Sequence, residues 1–433
     1  MSNDYFIANL LNIKDENITF GEGIHHEKIK GITYTVISAK LAYSKDFCPN
    51  CHGNDIIKYG FKASNLKFQA SAGYPVLLNL KKQKMYCKAC GRYFLATSSI
   101  VNRYSHISNN VKKAISLDLT KKKSIKDIAL DNFVSTNTVS RQMAKFDNYF
   151  NVDFRSIPKH LCFDEFKSTR DAKGAMSFMY CDSSTGKVVD VIENRQLPFL
   201  RRYFSNYPKK LRDKVKTISI DLYAPYMSLI KDLFVNAKIV IDRFHIVGLF
   251  TRAFNQTRVD VMKEFSTSCF EYKRLKRYWK IFLKPYSLLD CIHFSKRVHF
   301  TDSYVSELDI VEKSIAVDNV LKNTYLCYQS FRSDIEHRNF DMFKKHLLIF
   351  KDKVSERMKT SIDTCLKYID LIKNSFTYEY SNGMIEGINN FVKVLKRVAF
   401  GYRRFVNFRT RIFLTRNLIN ASWLKVGNLI NIY

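Results

Sequence analysis

Long hydrophobic runs are missing. No stretch of about 18 or more uncharged apolar residues occurs in the 433 residues, so no ordinary membrane-spanning helix is expected. The early residues also lack the basic start, apolar run and small-residue cleavage site of a secretory leader. No fixed-period repeat and no low-complexity tract is present, which sets aside solenoids and disordered tails. Acids are scarce: 40 Asp+Glu stand against 71 Lys+Arg, a formal charge of +31. Such a surplus repels itself unless an anionic partner neutralises it, and nucleic-acid phosphate is the commonest. A generically basic protein is the alternative that charge alone leaves open. What is present is core-forming material, with 46% hydrophobic and 14% aromatic residues. This length predicts two to four domains.

Four of the ten cysteines form two Cys-x2-Cys knuckles, Cys48-Pro49-Asn50-Cys51 and Cys87-Lys88-Ala89-Cys90. Two such knuckles on facing hairpins supply the four thiolates that a structural Zn²⁺ wants, and four cysteines leave no open position for chemistry. Gly91 suits a tight knuckle, and His52 beside Cys51 is read as a surface residue. With no leader, a reducing compartment is expected. Cys162, Cys181, Cys269, Cys291, Cys327 and Cys365, scattered among apolar residues, are then read as core thiols. Residues 47–95 are assigned to a zinc ribbon with a strand at Val76–Leu80, and residues 1–46 to an N-terminal extension carrying a short helix and a strand at Ile32–Leu41.

Residues 108–147 carry three helical patterns, with Ser108, Ser124 and Ser135 placed as N-caps and Asp127 completing a capping box. Ala129 on the second helix, Val134 in the turn and Val139 facing inward match a helix-turn-helix. Thr136, Asn137, Ser140 and Arg141 then project outward and can reach phosphates or base edges in a major groove. An ordinary helical bundle is the alternative. The glycine usual in the turn is absent, and Phe133 stands near its place.

From residue 159 strands alternate with helices. His160–Lys167 reads as a strand, Ala175–Asp182 and Lys187–Glu193 as a hairpin, and Val215–Ile220 and Lys238–Ile241 as short strands; from about Phe244 to Tyr368 only helices are expected. Asp164 interrupts the first strand and Asp221 ends another. A lone acid ending a buried strand is costly unless it is paired or binds metal, and a helix N-cap or a salt bridge would also account for either one. Phosphoryl transfer on DNA uses two Mg²⁺ ions held by a few carboxylates from adjacent rigid elements. Glu165 is expected on the opposite strand face from Asp164, and Asp182 and Asp190 on the surface. Trp279 is expected to pack in the core of the helical region, with stacking on an unpaired base as the other option. On the last helix Ile385, Ile388, Val392 and Leu395 make a buried stripe, while Glu386, Asn390, Lys393 and Arg397 make a polar one. Nine Lys/Arg and no acid lie between Gly387 and Tyr433, which suits DNA contact by Lys393 and Arg397.

The order of zinc ribbon, helix-turn-helix and Asp164 … Asp221 … Glu386 resembles the DDE transposases of bacterial insertion sequences, in particular the ISL-three family. The carrying motifs are Phe163-Asp164-Glu165-Phe166, Ile220-Asp221-Leu222-Tyr223-Ala224-Pro225-Tyr226, Ile241-Asp242-Arg243-Phe244-His245 and Ser381-Asn382-Gly383-x-Ile385-Glu386-Gly387-x-Asn389-Asn390. The resemblance implies a multidomain α+β and α/β chain with an RNase H-like catalytic core over 159–243 and 376–420, interrupted by a helical insertion over 244–375. It implies catalysis by Asp164, Asp221 and Glu386 holding two Mg²⁺, with Mn²⁺ as a substitute. His245, matching an Asp-x2-His motif, would contact the scissile phosphate or move a proton; a structural pair with Asp242 is the other reading. The partners implied are double-stranded inverted-repeat ends and target DNA, a homodimer or larger assembly on DNA, no membrane, and a bacterial cytoplasmic, nucleoid-associated location. Two rivals stay open: a nuclease on the same core that cuts without joining, and a zinc-dependent DNA-binding regulator.

Overall fold

The computed structural model describes residues 3–379 and 383–417. Ser381 and Asn382 of the last motif, and the end of the expected core segment at 418–420, lie outside them. The chain divides into two units, one of Met1–Asn151, Thr169–Asp171 and Val392–Tyr433, the other of Val152–Ser168 and Ala172–Phe391.

In the first unit, β1 (Ile18–Ile29), β2 (Ile32–Leu41), β3 (Ile56–Ser71) and β4 (Tyr74–Cys87) form one sheet in the order β1-β2-β4-β3, with β5 (Tyr93–Leu95) on β4. Two tight hairpins close it. Lys30 and Gly31 join β1 to β2 at φ 50° and 83°, and Ala72 and Gly73 join β3 to β4 at φ 50° and 82°, the left-handed pairs whose twist suits flanking strands. β2 runs parallel to β4, from Thr35 opposite Val76 to Leu41 opposite Lys82. The boundary expected at residue 46 therefore falls within one continuous sheet. Ile37, Leu41, Leu66, Leu78, Leu80 and Met85 fill its core.

Three short helices follow at Asn109–Asp118, Ile125–Asp131 and Thr136–Ala144, capped by the side chains of Ser108, Ser124 and Ser135, with a full capping box between Ser124 and Asp127. Val111, Ile115, Ile128, Ala129, Val139 and Met143 bury together, joined by Leu414 of the Phe405–Asn417 helix. Phe133 takes φ 50°, the left-handed position a glycine would fill in this turn.

Arg411 on that last helix is fully buried and donates to the carbonyls of Leu119, Lys121 and Lys123, at 2.9 and 2.6 Å for the latter two. These are carbonyls at the end of the first short helix and in the basic turn after it. Arg411→Leu removes their donor, and each buried orphan carbonyl costs about 1–3 kcal/mol, partly offset by no longer burying a cation. A loss of about 3 kcal/mol in a urea titration is expected; a change below about 0.5 kcal/mol would show that the bonds contribute nothing net.

In the second unit, β6 (His160–Lys167), β7 (Met176–Asp182), β8 (Val188–Ile192), β9 (Thr217–Ile220) and β10 (Lys238–Ile241) form a mixed sheet in the order β10-β9-β6-β7-β8. β6, β7 and β8 are antiparallel; β9 is parallel to both β6 and β10. Helices Leu197–Ser205 and Ala224–Leu233 each carry a proline in the first turn, where its missing N–H is no loss. Phe163 stacks on Phe204 at 5.5 Å between ring centroids within the aromatic core.

Several expectations fail here. Asp190 is not a surface acid: it is 5% exposed and accepts from the Tyr203 hydroxyl at 2.6 Å, behind which Tyr180 bonds both Tyr203 and Tyr207. The helical region from Arg243–Glu264 to Ile369–Thr377 contains a hairpin, β11 (Ser295–Arg297) with β12 (Phe300–Val305), too short for alternation to reveal. Cys327 and Cys365 are buried as expected, but Cys291 is exposed. Trp279, 42% exposed, is not in the core, and the Lys280 ammonium lies 5.7 Å from its ring.

Candidate functional site

Three acids lie on or just after three adjacent strands. Asp221 follows β9 and Asp242 follows β10; the Asp242 N–H donates to the Ile220 carbonyl at 2.9 Å, so the parallel register puts the two side by side. Asp164 lies on β6, which pairs β9 through Cys162 opposite Ser219; the same register carried two residues on aligns 164 with 221. Neither Asp221 nor Asp242 is explained as a cap. The cap of the helix after β9 is Tyr223, and Asp242, in the cap position of the next helix, makes no side-chain cap hydrogen bond.

His245 sits one turn into that helix, its Nε2 3.1 Å from Asp221 Oδ1. One ligand atom each from Asp221, Asp242 and His245 lies within 4.8 Å of the others. Burial pushes the Asp164 carboxyl up to about 7. The Glu165 N–H, donating at 2.6 Å, opposes this, and the charges of Asp221, Glu165 and Asp242 add to it. Repulsion of this kind among carboxylates is what a bound hard cation relieves, and the donors are mainly oxygen, so the residues fit Mg²⁺ or Mn²⁺. A proton on Asp164 competes with such an ion. Metal-dependent activity is therefore expected to rise with pH and level off above about 7, falling up to about tenfold per unit below it. A pH–rate profile flat from 5.5 to 8 would contradict this.

Beside Asp164 and Asp221 is a cavity of about 280 Å³ lined by these two, Glu165, Arg195, Tyr226, His245 and Arg252, among others; Asp242, which is buried, does not line it. Glu165 does not simply face away, as strand alternation suggested. It accepts from Arg195 and, at 2.7 Å, from the Tyr226 hydroxyl, and it borders the same cavity. The Gly383–Val398 helix reaches Asp164 through Asn389, whose Nδ2 donates to Asp164 Oδ2. Glu386, one turn earlier, is exposed and does not line the cavity. Ile385, Ile388, Val392 and Leu395 are buried and Asn390, Lys393 and Arg397 exposed, the two stripes expected.

The cysteine knuckles come together. The Sγ atoms of Cys48 and Cys90 lie 3.8 Å apart and those of Cys51 and Cys87 3.6 Å, and all four are within 4.8 Å of one another. A tetrahedron with Zn–S of about 2.3 Å has edges of about 3.8 Å, so the group fits Zn²⁺. On the third short helix Thr136, Asn137 and Arg141 are exposed and Ser140 half-buried, opposite the buried Val139.

Sequence reasoning gave no site role to Asn389, Arg195 or Tyr226, whose importance is a matter of long-range contact. Asp242 was legible, because an acid directly after an apolar strand is the signal that marked Asp221. No described helix is long and apolar enough to cross a membrane.

A family model described as a transposase, of the ISL-three group, matches residues 161–412. A Lactococcus lactis subsp. lactis protein named an ATP-dependent protease is 30% identical over 171 residues, which are 38% of this chain and 53% of that protein. A Bordetella parapertussis transposase for insertion sequence element IS1001 is 20% identical over 332 residues, which are 76% of this chain and 79% of that protein. The chain thus covers about half the length of the first relative and most of the second, and the two names describe different activities.

Proposed function

From the chain's membership of the ISL-three transposase family, we propose that it binds the inverted-repeat ends of an insertion sequence, cuts there and joins the freed 3′-hydroxyl to target DNA by direct phosphoryl transfer. The observation that carries this reading is the approach of Asp164 within β6 to Asp221 and Asp242 after the two neighbouring strands, with Asp164 raised by burial and by its neighbours' charge. Asp164, Asp221 and Glu386 would hold two Mg²⁺, which when bound lower the cost of forming the attacking oxyanion and of releasing the leaving one. Asp242 stands beside them as a further ligand candidate. His245, whose Nε2 lies 3.1 Å from Asp221 Oδ1, would contact the scissile phosphate or help move a proton there. No Ser or Tyr nucleophile is needed, because the acids serve water or a DNA hydroxyl directly.

An RNase H-like core is the fold proposed for the second unit, supported by the mixed five-stranded sheet with acids on neighbouring strands. The cysteine cluster would hold a structural Zn²⁺. The three capped helices would act as a helix-turn-helix presenting Thr136, Asn137, Ser140 and Arg141, with Lys393 and Arg397 on phosphates. Two DNA ends held at once call for a dimer or larger assembly on double-stranded DNA in the bacterial cytoplasm. The protease name belongs to the Lactococcus protein; this chain has no Gly-x4-Gly-Lys-Ser/Thr loop to cradle ATP.

The test incubates the full chain with Mg²⁺, labelled duplex carrying its element's end, and a plasmid target. Labelled end covalently joined to plasmid supports the proposal. Hydrolysis without joining favours the nuclease reading, and binding without cleavage the regulator.

A further inference from the structure

Beside the cysteine cluster, one sheet face carries three tyrosine rings in mutual contact. Tyr86 on β4 lies directly opposite Tyr93 on β5, their centroids 4.8 Å apart, and Tyr59 on β3 closes the group at 5.1 Å from Tyr93 and 6.1 Å from Tyr86. Tyr59 and Tyr93 are half exposed, at 51% and 50%. Neighbouring half-exposed rings leave flat apolar surface open to a partner. The Lys84 ammonium stands 4.0 Å from the Tyr93 centroid and 5.0 Å from that of Tyr59, bringing a cation to the same face. Between residues 47 and 95 there are eight Lys/Arg and a single acid, Asp55.

We propose that Tyr59, Tyr86, Tyr93 and Lys84 form a stacking platform for unpaired DNA, taking bases on the exposed ring faces and the adjoining phosphate on Lys84. Aromatic faces combined with cations suit a single strand, since every base offers a π-face once it leaves the duplex. Intact duplex hides those faces and would use the lysines alone. The pairing of exposed rings with a one-sided positive charge also disfavours a protein partner, which would need complementary acids against Lys84. The platform is tied to the metal knuckle. Cys87 directly follows Tyr86, and the Tyr86 hydroxyl lies against Gly91, where an added Cβ would come within 3.9 Å. This inference rests on the reading of the chain as a DNA-joining enzyme, whose cut ends would supply such strands.

The test measures fluorescence anisotropy of labelled dT15 and of an element-end duplex with the full, zinc-loaded chain at fixed salt. Stacking contributes about 1–3 kcal/mol per base, so the double variant Tyr59→Ala/Tyr93→Ala is expected to bind dT15 at least about tenfold more weakly. Tyr59→Phe/Tyr93→Phe, which keeps the faces, should stay within about twofold. Lys84→Glu, with the rings intact, should weaken dT15 binding at least about fivefold and serves if the alanine variant loses its zinc. Duplex binding should change less than about threefold in both tyrosine variants, and Lys84→Glu should weaken it less than it weakens dT15 binding. If duplex binds normally while dT15 binding is absent, or ignores both the ring and the lysine changes, the platform is wrong and the proposed function stands. If the unmodified chain binds neither DNA, both fall.

Discussion

Asp164→Asn and Asp221→Asn are each expected to reduce strand cleavage by about 1,000-fold or more, while binding of end duplex should change less than about threefold. The magnitude corresponds to about 4 kcal/mol of transition-state stabilisation, the order expected when a charge that holds a metal ion is deleted from a closed site. Glu386→Gln is expected to do the same, but its standing differs: Glu386 is exposed, whereas Asp242 lies with Asp221 and His245. Asp242→Asn is therefore run beside it. If Glu386→Gln cuts normally and Asp242→Asn does not, the third carboxylate is Asp242. If Asp164→Asn or Asp221→Asn still cuts with Mg²⁺, the site is elsewhere.

Unfolding is not expected to mimic this result for Asp164. Its carboxyl is raised in the folded chain to about 7 from an ordinary 3.8. Between those values the folded state holds the proton more tightly, so the metal-free chain loses stability as pH climbs from about 4 to 7. The asparagine variant lacks that loss and should melt no lower than the parent at pH 8.

Removing the zinc proposed for the cysteine cluster is expected to have the second large effect. Binding of a structural Zn²⁺ supplies about 10–16 kcal/mol in small zinc modules, and where the site does not preform, that energy is folding energy. Metal analysis should find one zinc per chain. Chelation, or Cys87→Ser at the buried ligand, should unfold the sheet around β4 and abolish DNA binding, while the second unit keeps its own melting transition. A chelated chain with an unchanged melting curve and no bound metal at the outset would rule out the structural zinc.

The parts legible in the sequence are those set by neighbours in the chain. Ser124 and Asp127 are three residues apart and form their capping box as expected; Cys48 with Cys51 and Cys87 with Cys90 are knuckles by spacing alone. Asp164 and Asp221 were marked by the apolar strands that carry them. What stayed hidden depends on distant partners. β3 reads as a polar, glycine-containing stretch and is a strand because it pairs with β4. Asp190 resembles any acid near a turn until Tyr203 is seen above it. Glu165 was assigned by alternation alone, which says which way a side chain starts but not that Arg195 and Tyr226 meet it.

The hydrogen bond from Asn389 to Asp164 spans 225 residues of sequence. Asp221 and Asp242, by contrast, follow strands that are near neighbours in the chain, so closing that half of the cleft takes only the Ala224–Leu233 helix and its flanking turns. During synthesis from the N-terminus, the half with Asp221, Asp242 and His245 can therefore assemble long before the Gly383–Val398 helix exists. A nascent or prematurely terminated chain also lacks Leu414 and Arg411, which complete the core of the three capped helices and bind their carbonyls. Truncation before residue 383 would thus leave the acids and the capped helices unfinished together, and such fragments should neither cut nor fold their helices stably.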